Sequence, residues 1–364
     1  MRPIKILLLI PHLGGGGAER VIALLARHLD PELFQVHVGV ISEDSLGAEP
    51  VPSWVAMHRI GGGRVRYAGI GLLSLVWSER PDLILTGMVH LSLAVLALKP
   101  LMPRAVRILV RQNTTASKAQ RLWMRQTLLR LLYPRANYVI CQSEAMASDL
   151  CQNFSICRTR LVVLANPIAK RISLAAPSHA GERRQLLAVG RLAHEKGFDL
   201  LLHAVAAVKV KLPDILLTIL GVGPEEHRLK ELRDKLNLNE TVQFAGYANP
   251  EDYYDRISVF VTSSRFEGMP NAMLEAAAAG LPIVSTPCCT GVCDLLHEAP
   301  GTWIAAEITA ASLASAILSA LDCLEESRTE LRRFNHAFTA PFQLTTAIRA
   351  YQELFLQVAD MSAS

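Results

Sequence analysis

The sequence predicts an α/β protein made of two doubly wound, Rossmann-like domains, on three observations. Short apolar runs alternate with helical patterns from the first residues, which gives parallel sheets with crossover helices. The alternation stops near residue 170 and starts again at Gln185. At 364 residues the chain also exceeds what one hydrophobic core normally serves. The expected division is a first Rossmann-like domain over residues 1–169, a linker over 170–184, a second Rossmann-like domain over 185–340 and a terminal helix over 341–364.

In chain order, Lys5 to Pro11 reads as a strand. It imitates a leader segment, but its apolar run, Ile6 to Ile10, is shorter than the ~7–15 residues such a segment uses. The glycine loop Gly14 to Gly17 opens a helix over Ala18 to Leu29. Strands follow at Phe34–Ile41, Val55–Ile60, Leu83–Thr86, Val106–Val110, Tyr138–Cys141 and Leu161–Leu164, with helical patterns between most of them. Residues 170–184 carry few large apolar side chains, as a linker does. The second series runs Leu186–Val189 (strand), Phe198–Val210 (helix), Ile215–Leu220 (strand), Glu226–Leu236 (helix), Val242–Phe244 (strand) and Pro250–Arg256 (short helix). Ile257–Val261 is then a strand and Asn271–Ala279 a helix with Pro270 at its first position and Gly280 just past its end. Pro282–Ser285 starts the next strand. Ala311–Leu324 and Phe342–Val358 are helical.

Composition excludes several classes. No apolar run reaches the ~18 residues of a spanning helix. The seven cysteines show no framework spacing. Cys288, Cys289 and Cys293 cluster without a second pair to complete a zinc pattern, so neither metal nor cofactor is expected. The usual cytosolic thiol state fits this usage. Net charge is +4, unevenly spread: between Leu83 and Ser143 there are nine basic residues and no Asp or Glu. No nucleic-acid motif accompanies them.

The chemistry centres on Thr262 to Ser285. A strand, a loop with Glu267 and Gly268, a helix from about Pro270 and a further strand follow one another. Backbone N–H groups of Gly268, Met269, Asn271 and Ala272 would form an anion pocket at the helix start. Two carboxylates, Glu267 and Glu275, bracket it and suit hydroxyl groups. Phosphate beside hydroxyls suits a sugar nucleotide. Gly190, Arg191 and Lys196 follow the first strand of the same domain, where two cations can neutralise a diphosphate. Gly14 to Arg20 follows the first strand of the chain but fails the dinucleotide fingerprint, because Arg20 stands where the third glycine belongs.

Three segments carry a family resemblance: Glu267-x7-Glu275 within FEGMPNAMLEAAAAGLPIV, Gly14-Gly-Gly-Gly-Ala-Glu-Arg20, and Val189-Gly-Arg191-Leu-x3-Lys196-Gly-Phe198. Taken in chain order, from Gly14 through Val189 to Glu267, they resemble retaining glycosyltransferases of the family 4 type, with the two-domain GT-B fold. The resemblance spans nearly the whole chain. It implies two domains facing across a cleft and transfer of a sugar with retention, most simply from a UDP-sugar. It implies a glycan or polyprenyl-linked acceptor in surface-polysaccharide assembly. By the same resemblance Arg191 and Lys196 hold the donor diphosphate, replacing a divalent metal; consistently, the chain has no Asp-x-Asp. Glu275 accepts from the ribose, and Glu267 faces the transferred sugar. Gly15, Gly16 and Gly17 face the donor phosphates and acceptor. Gly221, Gly223 and Tyr247 lie near the nucleotide, and the terminal helix crosses back onto the first domain.

On the acceptor side His12 and His90 each follow a strand, where a histidine is more often structural than catalytic. Many relatives carry a cleft histidine after the next strand; here that segment reads Val110-Arg111-Gln112-Asn113, making Arg111 and Asn113 candidate contacts. The basic helical segment with Lys118, Arg121, Trp123 and Arg125 can lie on an anionic membrane from the cytoplasmic side or simply cover the sheet. A GT-B epimerase or phosphorylase would also use sugar phosphates. A non-catalytic glycan-binding subunit would lack the Arg191, Lys196 and Glu275 set that this chain keeps.

Overall fold

The computed structural model describes residues 2–14, 16–42, 51–119, 123–168, 184–326 and 334–360. The chain divides into two compact units, residues 1–169 with 341–364, and residues 170–340. The first contains β1 (Ile4–Ile10), α1 (Gly17–His28), β2 (Phe34–Val40), β3 (Ala56–Arg59), α2 (Gly69–Glu79), β4 (Leu83–Thr86) and α3 (Val89–Leu98). It continues with β5 (Arg107–Arg111), α4 (Ala116–Ala119), α5 (Trp123–Leu132), β6 (Tyr138–Cys141), α6 (Glu144–Phe154) and β7 (Leu161–Val163). Among the described residues its seven strands are parallel, in the order β3-β2-β1-β4-β5-β6-β7.

The unbroken apolar run of β1 follows from its central place, because a strand covered on both faces needs no polar side. Side chains alternate between faces with period two. Leu7 and Leu9 join Ile84, Ile108 and Val110 under α2, α3, α5 and α6. Ile6, Leu8 and Ile10 join Leu83, Leu85 and Leu109 under α1 and the terminal helix.

The second unit contains β8 (Gln185–Val189), α7 (Phe198–Lys211), β9 (Leu216–Leu220), α8 (Glu226–Lys235), β10 (Val242–Gly246), β11 (Val259–Thr262) and α9 (Asn271–Ala278). It ends with β12 (Ile283–Ser285), α10 (Thr290–Leu296), β13 (Thr302–Ile304) and α11 (Ala310–Glu326). Among the described residues its six parallel strands run β10-β9-β8-β11-β12-β13. One face is covered by α7 and α11, through Leu201, Leu202, Val205, Leu313, Ile317 and Leu321.

Helix α12 (Leu344–Asp360) belongs to the first unit. Ala347, Ile348, Tyr351, Leu354, Phe355 and Val358 are buried, the spacing of one helical stripe. Phe355 meets Phe34 edge-on, with ring centroids 6.1 Å apart.

Several boundaries depart from the sequence reading. Residue 184 is no linker: Arg184 donates to both carboxylate oxygens of Asp214 at 2.7 and 2.8 Å, and its carbonyl accepts from Leu216 at the head of the β8–β9 ladder. Residues 170–183 lie outside the described residues. The strand expected from Ile257 begins at Val259, and Pro270 is the N-cap of α9 rather than its first residue. Gly280 has the positive φ of 81° expected of a residue ending a helix. Helix α10 and strand β13 were not read from the sequence.

The segment after α11 returns to the end of α9: Phe334 donates to the Gly280 carbonyl at 2.8 Å, and His336 Nε2 pairs with the Leu281 carbonyl at 2.9 Å. Burial lowers the His336 pKa from 6.5, and the bond to Leu281 opposes this only partly. A histidine depressed in the folded state stabilises while neutral, and the unfolded chain binds more protons below pH 6.5. Stability therefore falls as pH drops through 6.5 toward the folded pKa. Burial of His37 acts in the same direction. In thermal melts from pH 7.5 to 5.5, wild type should lose melting temperature more steeply than His336→Gln, whose amide can still donate to Leu281. Parallel slopes would rule His336 out as a source of acid lability.

Candidate active site

In each sheet the strand order reverses beside the first strand, between β1 and β4 and between β8 and β11. Loops leaving the carboxyl ends of such neighbours diverge and open a crevice. In the second unit those loops carry Arg191, Lys196 and Glu267.

Lys196 and Glu267 come together there: Lys196 Nζ donates to Glu267 Oε1, and their side chains are only 24% and 13% exposed. Ser264 Oγ also donates to Glu267 Oε1, at 2.8 Å. The two loops are fastened behind this pair. Ser263 Oγ donates to the Lys196 carbonyl at 2.9 Å, Arg265 N to the Glu195 carbonyl at 2.8 Å, and Thr286 Oγ1 to the Ser264 carbonyl at 2.6 Å. Arg265 grips Asp199 with two bonds of 2.7 Å. Burial pushes the Asp199 carboxyl up, but this fork outweighs it and holds the pKa below 3.8. Gly197 permits the approach: φ is 62°, and a Cβ would lie 2.1 Å from the Ser263 carbonyl oxygen. Ser263, Ser264, Arg265, Asp199 and Thr286 had no assigned role from sequence. Thr262-Ser-Ser-Arg265, directly after a strand, was the available signal.

Arg191 sits differently. Its guanidinium pairs with Glu195, and its side chain is 67% exposed. Burial raises the Glu195 carboxyl, but the bond from Arg191 prevails and lowers it. An exposed pair of this kind is worth at most about 1 kcal/mol, so a ligand can divert Arg191 at little cost. Gly190 donates to the Leu220 carbonyl at 2.9 Å. A Cβ on Gly221 would lie 1.9 Å from the Gly190 carbonyl oxygen, so the β8 and β9 loops meet only with glycine there. A Cβ on Gly223 would lie 2.4 Å from the Leu192 carbonyl oxygen.

Gly268, Met269 and Pro270 are buried at the start of α9, while Asn271 and Glu275 are half-buried. Cys289 Sγ donates to the Gly268 carbonyl at 3.4 Å. The Cys289 bond, then burial, pushes the Cys288 thiol far up, which leaves it neutral. Tyr247 is exposed beyond the outer strand β10, two strands from the reversal.

In the first unit His12 and His90 do approach each other. His12 Nδ1 accepts from Gly14 N at 3.2 Å, which leaves the ring proton on Nε2 in the neutral form, and lies 3.7 Å from buried Glu19. Burial, then Arg125, then His12 lower the His90 pKa from 6.5. Gly16 caps α1 and Gly17 begins it; Gly15 lies outside the described residues.

Arg111 requires correction. It is buried rather than poised for ligand: its guanidinium donates to Asn113 Oδ1 at 2.7 Å and Asn166 Oδ1 at 2.5 Å, beneath Tyr351 of α12. Asn113 is drawn in as well, donating to the Gly87 carbonyl and accepting from Gln142 at 3.4 Å. The two residues brace the β4 and β5 loops.

Trp123 is 72% exposed, and Met124, Leu128 and Leu131 are exposed on the same helix, while Leu129 and Leu132 are buried. Arg121 lies outside the described residues, as does the side chain of Lys118. Among the described residues His37, His58 and Glu79 could group around a metal ion, with ligand atoms within 4.8 Å of one another. They engage one another and Lys5 instead: His37 Nδ1 and His58 Nε2 are 2.8 Å apart, and Lys5 Nζ reaches Glu79 at 3.3 Å.

Two parallel-sheet Rossmann-like units in one chain, with a cation and a carboxylate paired at the strand reversal of the second, have the architecture of the GT-B fold. Residues 15–170 match the family Glycosyltransferase Family 4, and residues 170–336 match Glycosyl transferases group 1. The chain is 30% identical over 317 residues to N-acetylgalactosamine-N,N'-diacetylbacillosaminyl-diphospho-undecaprenol 4-alpha-N-acetylgalactosaminyltransferase of Campylobacter jejuni, covering 81% of this chain and 84% of that one. It belongs to the family 4 and group 1 glycosyltransferases and is a hexosyltransferase of glycan biosynthesis. Its fold matches Anabaena HepE in complex with UDP, with a TM-score of 0.79 at 16% identity over 98% of this chain and all (100%) of that one. It also matches sucrose-phosphate synthase of Thermosynechococcus elongatus, with a TM-score of 0.82 at 17% identity over 99% and 100%.

Proposed function

We propose that the protein transfers a sugar, with retention of anomeric configuration and without a divalent metal, from a UDP-sugar to a lipid-linked glycan in surface-polysaccharide assembly. The observation that carries this is the half-buried Lys196–Glu267 pair at the strand reversal, beside the N-terminus of α9. A donor diphosphate bound there draws Lys196 and Arg191, and the α9 amides complete its partners. Glu267, relieved of part of its salt bridge, accepts from a hydroxyl of the sugar, and Glu275 accepts from the ribose. The C1–O bond to the β-phosphate breaks. The acceptor oxygen bonds to C1 on the same face, and its proton passes to the leaving phosphate oxygen. Concentrated fixed positive charge stabilises that leaving group. The UDP complexes of HepE and the lipid-linked acceptor in the name of the Campylobacter relative support the choice of substrates.

A thermal-shift panel of nucleotide sugars identifies the donor, and proton NMR of the product formed from its α-anomer reads the linkage. An α-linked product is expected; a β-linked product overturns retention, and an isomerised nucleotide sugar formed without acceptor makes the protein an epimerase.

Among the described residues no helix is long and apolar enough to cross a membrane. Exposed Trp123, Met124, Leu128 and Leu131 beside Arg125 support peripheral attachment through α5 to the inner face of the cytoplasmic membrane. Trp123→Ser combined with Arg125→Gln should weaken flotation with anionic vesicles at least fivefold, since one basic residue there contributes about 1 kcal/mol. Unchanged flotation would make α5 a plain sheet-covering helix.

A further inference from the structure

A cavity of about 810 Å3 lies in the first unit, at the edge where β5 and β6 begin. This edge is opposite to the one carrying His12, His90 and Asn113. The turn after α3, the turn after α5 and the end of α12 complete its walls. Lys99, Arg104, Arg107, Arg135 and Arg160 line it, and none of the described lining residues is an Asp or Glu.

Two of the cations, Lys99 and Arg160, are held in place by backbone carbonyls. Lys99 Nζ donates to the Arg135 carbonyl at 2.6 Å, and Arg160 donates to the carbonyls of Pro134 and Ala136. Carbonyl oxygens satisfy the donors but bring no negative charge. Burial, then Arg107 and Arg160, hold the Lys99 pKa below 10.5, so these like charges act on one another inside the cavity. An anion with several oxygens relieves that repulsion and meets the forked geometry of the guanidinium groups. The rest of the lining is neutral, and exposed Leu101 stands at the same turn, its carbonyl accepting from the Trp77 indole at 3.0 Å.

We propose that this cavity binds a phosphate-bearing anion, supplied either as a free diphosphate compound or as the headgroup of an anionic lipid. The site is separate from the donor site, which lies in the other unit, and from the strand-reversal loops of its own sheet.

The test compares wild type with Arg104→Gln/Arg135→Gln, both in saturating UDP so that the donor site is occupied. Both altered side chains are exposed, and equal melting temperatures show that the fold is kept. Each protein is titrated calorimetrically with inorganic diphosphate and floated with phosphatidylcholine vesicles with and without phosphatidylglycerol. The Trp123→Ser/Arg125→Gln variant is run in parallel to separate the cavity from α5. Wild type should bind at least one of the two probes. The cavity variant should bind it about thirtyfold more weakly, because each basic residue near an anionic surface contributes about fivefold. Heat with inorganic diphosphate identifies a free phosphate compound, and flotation without that heat identifies a headgroup. Wild type binding neither probe, or the cavity variant binding as tightly as wild type, overturns the proposal.

Discussion

Lys196→Ala should weaken UDP binding by about 2 to 5 kcal/mol, the cost of truncating one member of a buried charge pair. Lys196 is three-quarters covered, and its ammonium already sits on Glu267. Removing it leaves the diphosphate without its central cation and facing an unbalanced carboxylate. Arg191→Ala should cost about 1 kcal/mol, because its side chain is mostly solvent-exposed and already paired with Glu195. Isothermal titration with UDP ranks the two. UDP affinity unchanged in Lys196→Ala would remove the diphosphate from this loop.

The second large effect separates the two glutamates. Glu267→Gln should lower turnover about a hundredfold, the scale of losing one group aimed at developing charge. Its UDP affinity should stay equal or rise, because the change removes a carboxylate that competes for Lys196. Glu275→Ala should instead weaken UDP by about 1.5 to 3 kcal/mol, the range of a hydrogen bond to a charged group, with a smaller effect on turnover at saturating donor. Steady-state kinetics beside titration reads both. Matching UDP affinities in the two variants would refute the division of roles.

What was legible in the sequence is what lies close along the chain. Strand, loop, helix and strand from β11 to β12 follow from periodicity, Pro270 and Gly280. The approach of Lys196 to Glu267 follows from both loops leaving the carboxyl ends of parallel strands. Contacts distant in sequence were not legible. Arg111 ends a strand at the ligand-facing edge, where an exposed side chain would serve, yet α12 returns from the far end of the chain to cover it with Tyr351. Asp199 reads as an ordinary helix-start acid until Arg265 folds onto it. Strand β13 has three residues, too few for periodicity to mark. Helix α10 begins Thr290-Gly291-Val292, poor helix formers. Its end is held from outside by Thr302 Oγ1, which donates to the carbonyls of Leu296 and Ala299 at 2.7 Å.

Hydrogen–deuterium exchange of the wild-type chain with and without UDP, in the presence of EDTA, tests the central claim most directly, because it locates the nucleotide and asks at once whether a metal is needed. Protection is expected at amides of residues 190–197, 221–223 and 268–275. Protection that is absent there until a divalent cation is restored, or that is confined to residues 1–169, would contradict a metal-free donor site in the second unit.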